Sequence, residues 1–533
     1  MAAITRKGGK GKSLISGAVG KVVQTDRQTI VISVEPESRL HHRDFIEVRF
    51  PKEGNLHILI GQVELLVGED VKIGSATSQR GVSILGIGID VVQTKDVEET
   101  RVRATAKVVA FIDHLGKVSA HDPTIDYMAQ PVFLADAVSL KKVFSELNNL
   151  DLAPLEVGTL LGSPDIIPVS LNPEGFMRHT AIFGQSGSGK SFSFGIILEE
   201  LIKETDARVL VLDPNSDYRN FSHLRARADI KKYSRREYTA EEHELLQQRW
   251  KELAQLFLRF SRRSNKEDKK LALSFSDLLR SQQAGLLGID PVHDREEYSV
   301  FRETVESLGE SYTLNQILDI FSYSPSVEKV RLLYRIKNRE LDKLSLWGEP
   351  SIIEELRNND WSFASIDLRD VTPLERSLAS AAVLEALYRD IIRSRKVTFF
   401  VVDEAHNFCP AVPWESHQEA PRQILHEIAA EGRKYGAFLM LMTQNPSKLS
   451  EQVMLQCDNV ILMKMTSGIE VKALEAIVGD AGPRLAQAAF SLNIGEAICM
   501  GGIVRNEASV KFDLRKTTPG GEDVSKEWAR RKM

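Results

Sequence analysis

Between residues 13 and 113 apolar and polar positions alternate in short bursts: "AVGKVVQ", "QTIVISVE", "DFIEVRF", "LHILIGQVELLV", "VSILGIGIDVV" and "VRATAKVVAFI". β-Branched residues dominate these runs and turn-formers separate them, so the pattern predicts short strands closed into a small barrel or sandwich. The segment carries no catalytic constellation and reads as an assembly or interface module. A linking segment, residues 114–175, leads away from it.

From residue 176 the pattern changes. "HTAIFG", "ARVLVLDP", "WSFASIDLRD", "KVTFFVVDEA", "GAFLMLMTQ" and "DNVILMKM" are continuous apolar runs of strand length, alternating with helical stretches. Runs buried on both faces suit a mostly parallel sheet between helices, an α/β core over residues 176–218 and 351–515. Residues 219–350 interrupt it and lack strand-like runs. There, "EEHELLQQRWKELAQLFLRF" places Leu246, Trp250, Leu253, Phe257 and Phe260 at four- and three-residue spacing, which predicts one amphipathic helix face in a helical insertion.

Composition changes this picture little. Hydrophobic content of 42%, charged content of 27% and a net charge of −5 fit a soluble globular chain, with no overall basic character to draw it to nucleic acid. Any such contact needs a local lining; "RNFSHLRARADIKKYSRR" and "RFSRRSNKEDKK" offer either that or a solvated surface. Cys409, Cys457 and Cys499 lack paired spacing, which argues against disulfides and zinc and for a reducing cytoplasmic setting. No apolar run approaches a membrane span. The first twelve residues, "MAAITRKGGKGK", read as a flexible basic arm rather than a secretory signal, and residues 516–533 as a charged tail.

The sharpest local chemistry is "GQSGSGKS", residues 184–191, with a strand before it and a helix after. Glycines let the backbone curl so that its N–H groups face phosphates, and the helix N-terminus adds a favourable dipole. The expected nucleotide-binding set is Gly184, Ser186, Gly187, Ser188, Gly189, Lys190, Ser191 and Phe192. Lys190 reaches the β- and γ-phosphates of ATP, and the Ser191 hydroxyl helps to hold Mg²⁺. A second apolar strand delivers Asp403 and Glu404 at its C-terminal edge, where sheets of this class place ligands. Asp403 is the expected metal residue and Glu404 the general base acting on water. Two adjacent carboxylates suit sustained hydrolysis, so the pattern predicts an ATPase.

"DEAH" invites comparison with the DEAH-box helicases, but those carry two tandem nucleotide-type domains. Here 18 residues follow residue 515, which leaves no room for the second. With one core per chain, the transition-state charge needs an arginine from elsewhere, usually a neighbouring subunit. Arg433 in "EGRKYG" is the candidate, with Lys434 as rival and an ordinary helix-end charge as the alternative for both. Gln444, ending the next strand, is placed either to contact the γ-phosphate or attacking water, or simply to cap the strand.

"RHTAIFGQSGSGKS", "VLVLDPNSDY", "ASIDLRDV", "FFVVDEAHNF", "EGRKYGAFLMLMTQNPSKL" and "IGEAICMGG", in this order, resemble the HerA family of ATP-driven DNA translocases, relatives of FtsK and the conjugative secretion ATPases. The resemblance spans most of the chain and is weakest in the insertion. It implies a RecA-like P-loop core preceded by a small all-β barrel, a homo-hexameric ring holding duplex DNA, and an arginine finger, Arg433, acting in trans. It also implies a nuclease or a sirtuin-like NAD hydrolase docked on the barrel face, in DNA processing or anti-phage defence. Asp213 and Asp217 fall in the family's "D-P-x-x-E-Y"-like segment, with Asp217 one methylene shorter than the usual Glu. "TQNP" stands where a basic residue after Gln is commoner. Two other readings share the same pocket: an ATP-dependent scaffold that assembles an effector enzyme with little translocation, and a motor that moves protein.

Overall fold

The computed structural model of the chain describes residues 17–72, 98–119, 127–147 and 151–520, apart from residues 27, 36–37, 39, 164, 234–237, 264–266, 324–325 and 479–481. The basic arm, the run "VSILGIGIDVV" and the end of the tail lie outside the described residues. Two units divide the chain, the first covering chiefly residues 1–151 and the second most of the remainder.

Alternation in the first unit does what period two requires: one face of each strand turns inward. Strands Thr29–Val34, Gly20–Thr25, Pro131–Leu134, Phe45–Lys52, Asn55–Lys72 and Glu98–Ile112 follow one another in space, and Thr29–Val34 pairs again with Glu98–Ile112. The antiparallel sheet therefore closes on itself, and closure removes exposed strand edges. Its interior is packed by Val22, Ile30, Ile32, Ile46, Val48, Leu59 and Val132, among others. One staple of this barrel is not in the 13–113 block. Pro131–Leu134, from the expected linking segment, bridges Gly20–Thr25 and Phe45–Lys52. A four-residue strand carries too little pattern to be read before its two neighbours are in place.

In the second unit the apolar runs form a sheet in the order Phe257–Ser261, Phe363–Asp367, Arg208–Asp213, Thr398–Val402, Ala437–Thr443, Thr180–Phe183, Asn459–Met463, then Glu496–Met500 and Ala508–Phe512. Pairings up to Asn459–Met463 are parallel, and Glu496–Met500 joins antiparallel. Ala437–Thr443 lies between the strand that precedes the phosphate loop and the strand that ends in Asp403. Three strand ends thus open side by side on one sheet edge, and this placement builds the site.

The insertion is helical, with Ala240–Ala254, Arg280–Leu287, Arg295–Leu308, Leu314–Tyr323 and Val327–Asn338. One expectation fails there. The helix that starts at the Thr239–Glu242 capping box ends at Ala254, and Phe257–Ser261 is a strand on the edge of the sheet. Phe257 and Phe260 therefore do not continue the helix face of Trp250. Spacing of three and four positions tolerates both readings, and the free edge of Phe363–Asp367 decides between them by pairing its backbone. Trp250 still packs here, its indole N–H donating to Phe221 O at 3.3 Å. Much of the basic run that follows is neutralised: Arg259 pairs with Glu267 and Asp268, and Arg263 with Asp370.

Candidate functional site

Strand Thr180–Phe183 is buried throughout and delivers the chain to Gly184, where the phosphate loop begins. A Cβ on Gly184 would meet Ser188 Oγ at 2.7 Å and Met463 Cβ at 2.9 Å, so this turn admits only glycine. Gly187 and Gly189 have φ of +74° and +94°, the left-handed region that side chains disfavour. Ser188 N–H donates to Gln185 O, and its carbonyl accepts from Gly495 N–H, which fixes the loop from both sides. Helix Lys190–Glu204 then starts with Lys190 8% exposed.

Strand Thr398–Val402 ends at Asp403 and Glu404. Asp403 is 1% exposed; its Oδ1 accepts the Glu404 N–H at 2.9 Å and its Oδ2 has no partner. Burial, with Asp213 and Glu404 close by, holds the Asp403 carboxyl well above the usual carboxylate range. Glu404 stands in the left-handed region at φ +46°, its Oε1 4.0 Å from Lys190 Nζ. Burial pushes its carboxyl up, while the Lys190 charge opposes that shift. His406 Nδ1 lies 3.0 Å from Thr443 Oγ1 and 3.4 Å from Glu404 Oε2, tying the carboxylate turn to the neighbouring strand end.

A cavity of about 770 Å³ opens between these elements. Ser186, Gly187, Gly189, Lys190, Ser191 and Phe192 form one wall; Glu404 and Gln444 face them, and Asp217 joins from the "DPNSDY" turn. Gly184, Ser188 and Asp403 sit behind the lining and brace it. Asp213 is also behind it: its carboxylate accepts the backbone N–H groups of Asn215, Asp217 and Tyr218 at 3.3, 3.0 and 2.9 Å. Burial raises it to about 7. Asp213 shapes the turn, and Asp217 is the carboxylate the turn presents.

Arg433 is not among the residues lining this cavity. Its Nη2 pairs with Asp458 Oδ2 at 3.0 Å and donates to Gln456 O at 2.7 Å. Conversely, the cavity wall includes Arg369, His406, Arg515 and Pro519, which sequence reasoning did not place there. His406 was within reach as part of "DEAH"; a single arginine in "KFDLR" carries no local signal. Arg369 donates to Asn215 O at 2.8 Å and so also supports the "DPNSDY" turn.

The side chains of Ser191 and Asp403 offer oxygen donors, which suit a hard cation. Among the described residues no group of three His, Cys, Asp or Glu side chains could hold a metal alone. Mg²⁺ fits such a place when phosphates complete its shell, and the partnerless Asp403 Oδ2 is a free acceptor for it or its water.

Comparison with known proteins agrees with this geometry. Residues 155–347 match the family model "Helicase HerA, central domain", and residues 365–480 that of zonular occludens toxin. The chain is similar to the HerA family. Curated relatives include the DNA double-strand break repair helicase HerA of Saccharolobus solfataricus, 24% identical with 75% of this chain and 76% of the relative covered. The protein of the same name from Sulfolobus acidocaldarius is 25% identical, with 81% and 82% covered. Among solved structures, VirB4 of Thermoanaerobacter pseudethanolicus aligns at a TM-score of 0.46 and 15% identity, covering 69% of this chain and 98% of that one. The chain is a P-loop ATPase with a closed β-barrel before its α/β core. Among its described residues no helix is long and apolar enough to cross a membrane.

Proposed function

We propose that this HerA-type ATPase hydrolyses ATP in the cavity between Lys190 and Glu404 and uses the energy to move or unwind duplex DNA as a hexameric ring. One observation carries the reading: the phosphate loop faces Glu404 across the cavity, with Asp403 buried behind it and Lys190 Nζ 4.0 Å from Glu404 Oε1. A γ-phosphate seated on Lys190 lies beside the base that prepares its attacking water. A carboxyl held above its ordinary range is the better base near neutral pH. Gln444, in the wall facing the phosphate loop, orients that water or the γ-phosphate. Ser191 and Asp403 would hold Mg²⁺, which supplies charge neutralisation between the β- and γ-phosphates. Arg433 supplies the remaining positive charge to a neighbouring copy's site.

DNA as the substrate follows the relatives whose names specify double-strand break repair helicases. A nuclease or NAD-hydrolase effector is the proposed partner of the barrel, whose exposed Leu56, Leu65 and Leu115 give it apolar contact points. The test is ATP turnover with and without duplex DNA. DNA raises turnover in the native chain, Lys190→Ala abolishes it, and Glu404→Gln keeps ATP binding while losing at least about a hundredfold in rate. Turnover indifferent to DNA rejects the translocase reading and leaves the ATPase standing.

A further inference from the structure

Arg515 is the largest fully buried side chain among the described residues, 1% exposed, on the segment that follows strand Ala508–Phe512. That segment is strapped over the phosphate-loop helix. Glu199 of the helix accepts Thr517 N–H at 2.6 Å, Thr517 Oγ1–H at 2.7 Å and Lys516 N–H at 3.0 Å. Gly520 N–H then donates to Asp217 O, and Thr518 N–H to His223 O. The strap holds Arg515 against Gly195 of the helix, where a Cβ would meet the arginine Cδ and Nε at 2.6 Å.

Among the described residues the guanidinium so placed has no carboxylate partner. Nε donates to Thr517 Oγ1 at 2.8 Å and Nη1 to Asp217 O at 3.4 Å, while Nη2 is buried with no partner. Its carbon lies 5.4 and 5.5 Å from the ring centres of Tyr218 and Phe221, whose faces offset part of the charge. A full positive charge sealed from water without an anion is strongly disfavoured. Yet the same side chain forms part of the cavity wall that holds Lys190 and Ser191. Planar, multiply donating and permanently charged, an arginine is suited to phosphate oxygens.

We propose that Arg515 is a nucleotide-binding residue acting in cis, its guanidinium engaging the phosphate chain of a nucleoside triphosphate bound in this cavity. The inference rests on the reading of the cavity as the ATP site. Triphosphate binding then draws on the C-terminal strap as well as on the phosphate loop, and it tightens the strap against the helix.

The experiment titrates the full chain and its Arg515→Gln and Lys190→Ala variants with fluorescently labelled ATP and with adenosine as competitor. Arg515→Gln weakens ATP at least about tenfold and leaves adenosine unchanged, the pattern of a lost phosphate contact. ATP binding within twofold of the native chain overturns the proposal, as does a lower melting temperature with an undiminished ATP-induced rise, the mark of a purely structural staple. If Lys190→Ala weakens ATP and Arg515→Gln does not, only the role of Arg515 falls; if neither does, the cavity is not the ATP site and both readings fall. Should Arg515→Gln not fold, amide exchange in the native chain decides: ATP slows exchange at Thr517, Thr518 and Gly520, and unchanged rates overturn the proposal.

Discussion

Single residues in this protein are set by the company they are buried in. His179 shows this away from the cavity: it is fully buried, its Nδ1 accepts the Leu439 N–H at 2.9 Å and its Nε2 lies 3.1 Å from Ala429 O. Burial first, and the Arg433 charge second, push its pKa down to about 4. Above pH 6.5 the ring is neutral in both folded and unfolded chains, so its contribution is fully present. As pH falls from 6.5 towards 4 the unfolded chain takes up the proton and the folded chain does not, so stability is lost across that window. By pH 5 the loss from this one ring is about 2 kcal/mol. Urea unfolding of the native chain and of His179→Gln at pH 7 and pH 5 checks it: the variant loses less over the same interval. That the phosphate-loop residues and Glu404 stand at strand ends was legible in the sequence, because an apolar strand runs directly into each. Arg515 and Asp213 were not, because their roles depend on what lies across the fold from them.

Elements were legible where pattern and length agreed. Runs such as "VTFFVV" and "AFLMLM" became central strands because only a sheet covered on both faces can bury them. Phe257–Ser261 resisted reading, since its side chains satisfy helical spacing as well as alternation, and pairing with Phe363–Asp367 settled the matter. Phe260 is fully buried in that strand. Phe260→Ala should cost about 3–5 kcal/mol of unfolding free energy, read from urea denaturation. The same substitution at exposed Leu245, on the preceding helix, should cost under about 0.5 kcal/mol. Pro131–Leu134 makes the same point for the barrel: four residues become a strand because two edges need closing.

At the scale of the whole molecule the open matter is shared sites. Arg433 is held by Asp458 and Gln456 and does not line the cavity of its own chain. An arginine acting across a subunit boundary requires that Glu404→Gln and Arg433→Ala chains, each inactive alone, regain part of the native ATP turnover when mixed. Mixtures no more active than their components would return Arg433 to a structural charge. What the sequence by itself determined is the pattern that depends on contiguous residues: the glycine-rich loop between strand and helix, the acidic pair at a strand end, the alternation of apolar strand and helix, and the β-rich segment ahead of them. Tertiary structure alone decided which strand lies between the phosphate loop and the carboxylates. It also decided that Asp217 rather than Asp213 meets the cavity, and that a C-terminal arginine comes to rest against the phosphate-loop helix. Local pattern encodes what backbone geometry and burial demand within a few positions; contacts separated by hundreds of residues arise only when the sheet order brings them together.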